Sequence, residues 1–270
     1  SPAALQRLRD WTITMPIRPT ENPTILAMRG LNLFHYSYSN CSMRIRLFLD
    51  EKGIPWNDQF VDLRAQKNLT EEYFAIHPQG LVPALVDDGV IVYESADILE
   101  YLENKFPEPS LIPEDPEDRA ALEKILEFTR SGHFPIIKTW AYGRNNKPTK
   151  TPESMAKLEA LQKDKWIVDF HAETLQEGGI AEEKILAAEK ILQDMFADLD
   201  RRLSQHEWIL GDRMTLADIA WIPQYALFQR NNFPFDPYPN FIDYVARWQQ
   251  RPAYISAIGN HMPGSMDLPR

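Results

Sequence analysis

The chain carries one cysteine, Cys41, in 270 residues. That excludes an internal disulfide and a metal centre built from thiolates, and it accords with a reducing compartment. No apolar run approaches the ~20 residues needed to span a bilayer. The first residues also lack the continuous apolar core of a secretion signal. Positive charge is scarce: 29 Lys and Arg stand against 39 Asp and Glu, giving a net charge of −10. An acidic chain suits neither nucleic acid nor an anionic membrane surface. The expected setting is therefore cytoplasmic, with a small-molecule partner, no nucleic acid and no membrane. No internal repeat is visible.

What is present is a globular composition, 44% hydrophobic and 25% charged, with length enough for one large or two ordinary domains. The most informative stretch is Leu31 to Asp50, LNLFHYSYSNCSMRIRLFLD. Leu31, Leu33, Phe34 and Tyr36 predict a strand. Met43, Leu47, Phe48 and Leu49 predict a helix that stops at Gly53, with Arg44 and Arg46 available for its polar side. The turn between them holds Ser37, Ser39, Asn40, Cys41 and Ser42. Free N–H groups and the macrodipole at a helix start favour negative charge there, and a thiol held there is favoured as a thiolate. Read alone, a single cysteine is more often a small buried hydrophobe than a nucleophile, and a serine there more often a simple cap.

Residues 1–30 read as an N-terminal extension broken by Pro2, Pro16, Pro19 and Pro23. Residues 31–106 alternate strand and helix, an α/β domain. Its further elements are a strand over Trp56–Leu63, a short helix over Leu69–Ile76 capped by Asn68 or Thr70, strands at Ala84–Val86 and Val90–Tyr93, and a helix from Ser95 through Lys105. Asp88-Gly89 is a hairpin signal between the two later strands. Val82-Pro83 must lie at a strand's edge or start. A cis bond there would leave the backbone of Val82 free to pair with an extended peptide, while a trans proline in a plain loop is the alternative.

Residues 107–117 are rich in proline and acid, a linker composition, and 118–270 read as all-α. Asp118–Phe128 continues toward Trp140, with Gly132 and Pro135 expected to kink or break it. Gly143–Lys150 is expected as a loop, and Thr151-Pro152-Glu153 opens a helix that runs to Thr174, stopped at Gly178-Gly179. Ile185, Ala188, Leu192, Met195, Leu199 and Leu203 mark one core helix. Thr215 to Asp218 forms a capping box opening another, which assigns Asp218 to folding. Phe241, Val245 and Trp248 would pack a last helix.

The segments SNCSMRIRLFLDEKGIPW, NLTEEYFAIHPQGLVPALVDDGVIVYESADILEYLE and LADIAWIPQYALFQR resemble the glutathione transferase superfamily over roughly Leu31 to Gln250. Ser39-Asn40-Cys41-Ser42-Met43-Arg44 is similar to the Ser-x-Cys-Ser-x-[Arg/Lys] pattern of its zeta-like branch, which holds maleylacetoacetate isomerases and reductive dehalogenases of chlorinated hydroquinones. The resemblance implies a thioredoxin-like first domain, an all-helical second domain and a homodimer. It also implies glutathione as co-substrate. Val82, beside a cis Pro83, would bond the cysteinyl backbone, Glu94 and Ser95 the γ-glutamyl end, and Gln66 or Lys67 the glycyl carboxylate. Ser39, with Asn40 next to it, would donate to the thiolate, and Cys41 would face the second substrate.

For that substrate, Tyr36, Phe134, Trp140, Tyr142, Trp221 and Phe228 could line a pocket for a flat apolar or aromatic molecule, though aromatics at helical spacing also build cores. Arg230 is the candidate to hold a carboxylate. The segment Lys147–Gly179 is longer than in typical isomerases and looks more like the dehalogenases or the glutathione-dependent β-aryl etherases. The expected reaction is attack of the glutathione thiolate on an electrophilic aromatic or unsaturated small molecule. A reductive variant would use Cys41. Ether cleavage, cis–trans isomerisation and a non-catalytic binding module are the other expectations.

Overall fold

Side-chain alternation in short strands sorts the first part of the chain into layers. In the computed structural model, which describes residues 17–146 and 148–262, the strands are β1 (Ile17–Arg18), β2 (Leu31–His35), β3 (Asn57–Phe60), β4 (Ala84–Asp87) and β5 (Val90–Tyr93). They form one sheet ordered β1-β5-β4-β2-β3, parallel only between β2 and β3. The register aligns Leu33 with Leu85 and Leu85 with Val92, so these share one face; Val86 and Ile91 point to the other. The second face is covered by Ile25 of α1 (Pro23–Leu26) and by Tyr73 and Ile76 of α3 (Glu71–Ile76). The first face packs on α2 (Asn40–Glu51) and α4 (Ser95–Lys105), and through them on the helical part.

Of the extension read at 1–30, residues 1–16 lie outside the described residues. From Ile17 on, the segment belongs to the sheet: Ile17 and Arg18 pair with Val92 and Ile91, covering what would otherwise be an open edge. Arg18 also donates to the carbonyls of Phe74 and Ile76 at 3.0 and 3.2 Å. β3 is shorter than its apolar pattern suggests. It ends before Asp62, whose side chain accepts the N–H groups of Arg64 and Ala65 and turns the chain.

A larger departure is in α2. Arg44 and Arg46 do not line a polar side; both are fully buried. Arg44 Nε donates to the carbonyl of Ala220 at 2.7 Å and Arg46 Nε to that of Ala257 at 2.8 Å. Arg46 also binds the carbonyls of Tyr36 and Ser37 and the ring of His35. Helical periodicity shows where polar side chains recur, not which carbonyls wait opposite them.

The helical part runs through α5 (Pro116–Ser131), a π-turn (His133–Lys138), α6 (Thr139–Asn145), α7 (Pro152–Leu161), α8 (Lys165–Leu175), α9 (Glu182–Leu203), α10 (Leu216–Arg230), α11 (Pro239–Gln249) and α12 (Pro252–Ala257). Gly132 and Pro135 bend the chain by widening a turn rather than breaking it. Pro135 has no N–H to donate, and Ile137 N reaches back five residues to Gly132 O at 3.0 Å. α6 continues past Gly143 because the loop expected there is a close helix crossing: a Cβ at Gly143 would stand 2.5 Å from Ile185 Cγ1. The single helix expected over 151–174 is two. Gln162 leaves the helical conformation and accepts from Asp164 N, while Asp164 caps α8 through Trp166 N.

Phe196, on the core face of α9, is the centre of the second domain's packing, with the rings of Phe228, Phe233, Phe235 and Phe241 between 4.9 and 5.5 Å away. Asp218 closes the capping box of α10. Its carboxylate accepts from Thr215 N, Ile209 N and the Tyr244 hydroxyl, all within 3.0 Å and all buried. Asp218→Ala is expected to lower unfolding stability by about 3 kcal/mol, because two buried N–H groups lose their acceptor, and Tyr244→Phe by about 1 kcal/mol. Urea denaturation checks both; equal small losses would remove Asp218 from its anchoring role.

Candidate functional site

The sheet's end, the start of α2 and the start of α4 converge on a cavity of about 1440 Å³ between the two domains. Val82-Pro83 is cis, and among the described residues no protein group pairs with the N–H or the carbonyl of Val82. A free backbone edge of this kind takes an extended peptide. Next to it Glu94 holds a left-handed φ of 72°, a strained conformation for a residue with a side chain. Glu94, not Ser95, caps α4, accepting from Ala96 N; burial pushes its carboxyl above the ordinary range, with Arg44 pulling the other way. Ser95 is the first helical residue, and its hydroxyl accepts from Arg44 Nη1 at 3.0 Å.

Ser39 caps α2 by accepting from Ser42 N at 3.1 Å, which leaves its own O–H free to donate. Asn40 lines the cavity and is fixed by a bond to Gln224 at 2.6 Å. Cys41, one residue further, faces the cavity and is half-buried. Its Sγ accepts from Arg44 Nη1 at 3.2 Å. The ring nitrogens of His133 stand 3.6 and 3.5 Å from the same sulfur. That near-equal spacing aligns neither nitrogen's lone pair with the sulfur, so the ring packs on the thiol more than it bonds to it. Burial first, then Lys138 and Arg44, hold the His133 imidazole well below its ordinary pKa; it is neutral at neutral pH.

The helical side of the cavity is an aromatic and cationic wall. Phe134 meets Trp166 edge-on at 5.7 Å, and Trp166 stacks on Phe170 at an interplanar angle of 10°. Tyr142, Lys138, Lys150, His171 and Arg230 complete it. Arg230 is held by Tyr38 O at 3.2 Å and lies over the Tyr38 ring. α7 and α8 close the cavity from outside. Leu69 of the first domain is buried in one cluster with Met155 and Leu158 of α7. Gln79 bonds Asp164 and Gln162 across the gap at 2.9 Å each.

Among the residues singled out from sequence, Tyr36, Ser39, Asn40, Cys41, Gln66, Val82, Pro83, Glu94, Ser95, Phe134, Tyr142 and Arg230 line this cavity. Three do not. Lys67 is exposed and is not among the cavity's lining residues; its neighbour Gln66, at φ 59°, lines the cavity and accepts from Lys157 Nζ. Trp140 and Phe228 are core residues at 2% and 0% exposure, packed on each other and on Phe233. Trp221, the remaining aromatic considered, is fully buried as well. A stripe of aromatics has the same period whether it faces core or cavity. Sequence reasoning missed Arg44, His133, Lys138, Lys150 and Trp166. The available signals were that Arg44 closes the Ser-x-Cys-Ser-x-[Arg/Lys] pattern and that His133 and Lys138 flank the expected break at Pro135. Phe228→Ala is expected to cost about 3–5 kcal/mol of stability and Tyr142→Ala under about 1 kcal/mol, read by thermal and urea unfolding. The reverse order would put Phe228 back at the site.

The free Val82 edge, the start of α4 and the Ser39 hydroxyl fit an extended tripeptide thiol such as glutathione, and one cavity joins them to the aromatic wall. Glutathione S-transferase Z2 of Arabidopsis thaliana is 28% identical over 86% of this chain and 92% of its own length. Maleylacetoacetate isomerase of Mus musculus is 29% identical over 77% and 82%. The crystal structure of the β-etherase LigF from Sphingobium sp. strain SYK-6 superposes with a TM-score of 0.72 at 24% identity, covering 84% of this chain and 98% of that one, a likeness of fold. The family model of the glutathione S-transferase N-terminal domain matches residues 38–105, and that of the C-terminal domain matches residues 149–247. The chain belongs to the glutathione S-transferase family, whose co-substrate is glutathione.

Proposed function

We propose that this chain catalyses attack of the glutathione sulfur on an electrophilic carbon of an aromatic or unsaturated small molecule. The observation that carries the proposal is the continuity of one cavity from Ser39, Val82 and Ser95 to the wall of Phe134, Tyr142 and Trp166. The family supplies the chemistry of glutathione, a nucleophilic sulfur. The chain supplies the rest. Val82 offers backbone bonds to the peptide, and the start of α4 offers N–H groups to an anionic end. Ser39 donates to the sulfur as charge builds there, with the N-terminus of α2 behind it. α7 and α8 narrow the opening and keep water from competing. The similarity to a maleylacetoacetate isomerase supports addition at an unsaturated carbon; the aromatic wall supports a ring.

Glutathione is expected to bind with micromolar to millimolar affinity in a calorimetric titration, and an absence of heat at ~10 mM would overturn the proposal. Ser39→Ala is expected to slow every thiol-dependent reaction by ~10² while leaving the fold intact. A panel of halogenated quinols, aryl ethers and maleyl compounds identifies the second substrate.

A second, reductive outcome is favoured by one observation, the exposure of Cys41 Sγ to this cavity with Arg44 donating to it. Cys41 as thiolate would attack the sulfur of a glutathionyl adduct. The carbon–sulfur bond breaks, its electron pair passes to the carbon, and that carbon takes a proton. Cys41 is left in a mixed disulfide that a second glutathione must reduce, since the chain has no other cysteine. Cys41→Ser is expected to spare the first attack and let the adduct accumulate, seen by mass spectrometry. Unchanged products at an unchanged rate would end the reductive outcome and leave the first proposal standing.

A further inference from the structure

Several lysines and arginines of this acidic chain find carboxylates: Lys52 pairs with Glu103, Arg130 with Asp97, Arg144 with Glu189 and Arg251 with Glu51. On the helical side of the cavity two lysines do not. Lys138 lies 5.3 Å from the centroid of Phe134 and 5.4 Å from that of Tyr142. Among the described residues it has no carboxylate partner. Lys150 donates only to Thr149 O, at 3.5 Å, and likewise has none. Two carboxylates line the cavity, Glu94 and Asp164. Glu94 belongs to the start of α4, and Asp164 is occupied by Gln79 and by the cap of α8.

The lysines act on their surroundings through a partly dry interior. Burial and Lys138 together lower Lys150 to about 8, and burial with Lys150 and Lys138 lowers His171 to about 2. Lys138 and Lys150 thus stand on the cavity wall with no carboxylate paired to either, in a setting where water screens poorly. Charge of this kind is balanced by what binds.

We propose that the helical half of the cavity selects an aromatic molecule bearing an anionic substituent, with Lys138 and Lys150 holding the anion and Phe134, Tyr142 and Trp166 the ring. This rests on the glutathione-dependent reading and names the class of its second substrate. A carboxylate, sulfonate or phenolate on the ring would meet two ammonium groups, while a neutral ring of the same shape would leave them facing each other unpaired.

The test measures binding rather than turnover, so that it stands apart from the catalytic reading. Isothermal titration of the full chain with 2-naphthoate and with the isosteric 2-naphthamide is expected to show at least a tenfold preference for the anion. The double variant Lys138→Met/Lys150→Met is expected to abolish that preference, leaving the Kd for 2-naphthamide and for glutathione within about twofold of the parent. Lys138→Arg/Lys150→Arg should retain the preference, which excludes a folding defect as its cause. Equal affinities for the two probes in the parent would overturn the proposal, as would a preference that survives the Met variant. Loss of glutathione binding in step with 2-naphthoate would also overturn it, since the lysines would then serve the tripeptide. Failure of the parent to bind glutathione, with the naphthoate preference intact, would instead overturn the function proposed above and not this site.

Discussion

The fold hangs on two guanidinium groups that have no contact with water. Arg44 and Arg46 leave the same helix, α2, and bind carbonyls of α10 and α12. A buried cation without partners costs several kcal/mol, and breaking its bonds by moving one domain would expose that cost. The two domains are therefore not beads joined by the proline-rich segment 107–117; they share α2. Arg46 further grips the carbonyls of Tyr36 and Ser37, fixing the turn that delivers Ser39 to the cavity. Stability of the interface and placement of the Ser39 turn thus depend on one set of bonds.

The second bridge lies at the other end of the cavity. The segment that reads from sequence as unusually long folds into α7 and α8, and these pack on Leu69 and Phe74 of the first domain. The polar contacts of Gln79 with Gln162 and Asp164 sit at the break between the two helices. A continuous helix over 151–174 would have carried Gln162 past that point. The break is thus what lets the segment close over the cavity, and its price is covered by the caps at Asp164 and Thr151.

Much of the first domain was legible because its signals are local. The hairpin at Asp88-Gly89, with φ values of 47° and 83°, and the edge position of Pro83 follow from what single residues can and cannot do. The capping box at Thr215 and Asp218 is equally local. The cavity was legible only on its sheet side. Ser39, Val82, Glu94 and Ser95 lie in turns whose backbone is set by neighbours in sequence. Lys138, Lys150 and Trp166 come from three elements separated by breaks, and which face of each helix meets the cavity depends on the π-turn at Pro135. Trp140 and Phe228 show the same limit from the other direction: correct period, wrong side.

Arg44 also joins two functions that sequence motifs treat separately. Its Nη1 donates both to Ser95 Oγ and to Cys41 Sγ, at 3.0 and 3.2 Å, and it draws the Glu94 carboxyl against the effect of burial. Its Nη2 is buried with no partner in the same setting. The start of α4 and the Cys41 sulfur on the cavity wall therefore share one donor. Both groups are thus positioned by one fully buried guanidinium, itself held by the carbonyl of Ala220.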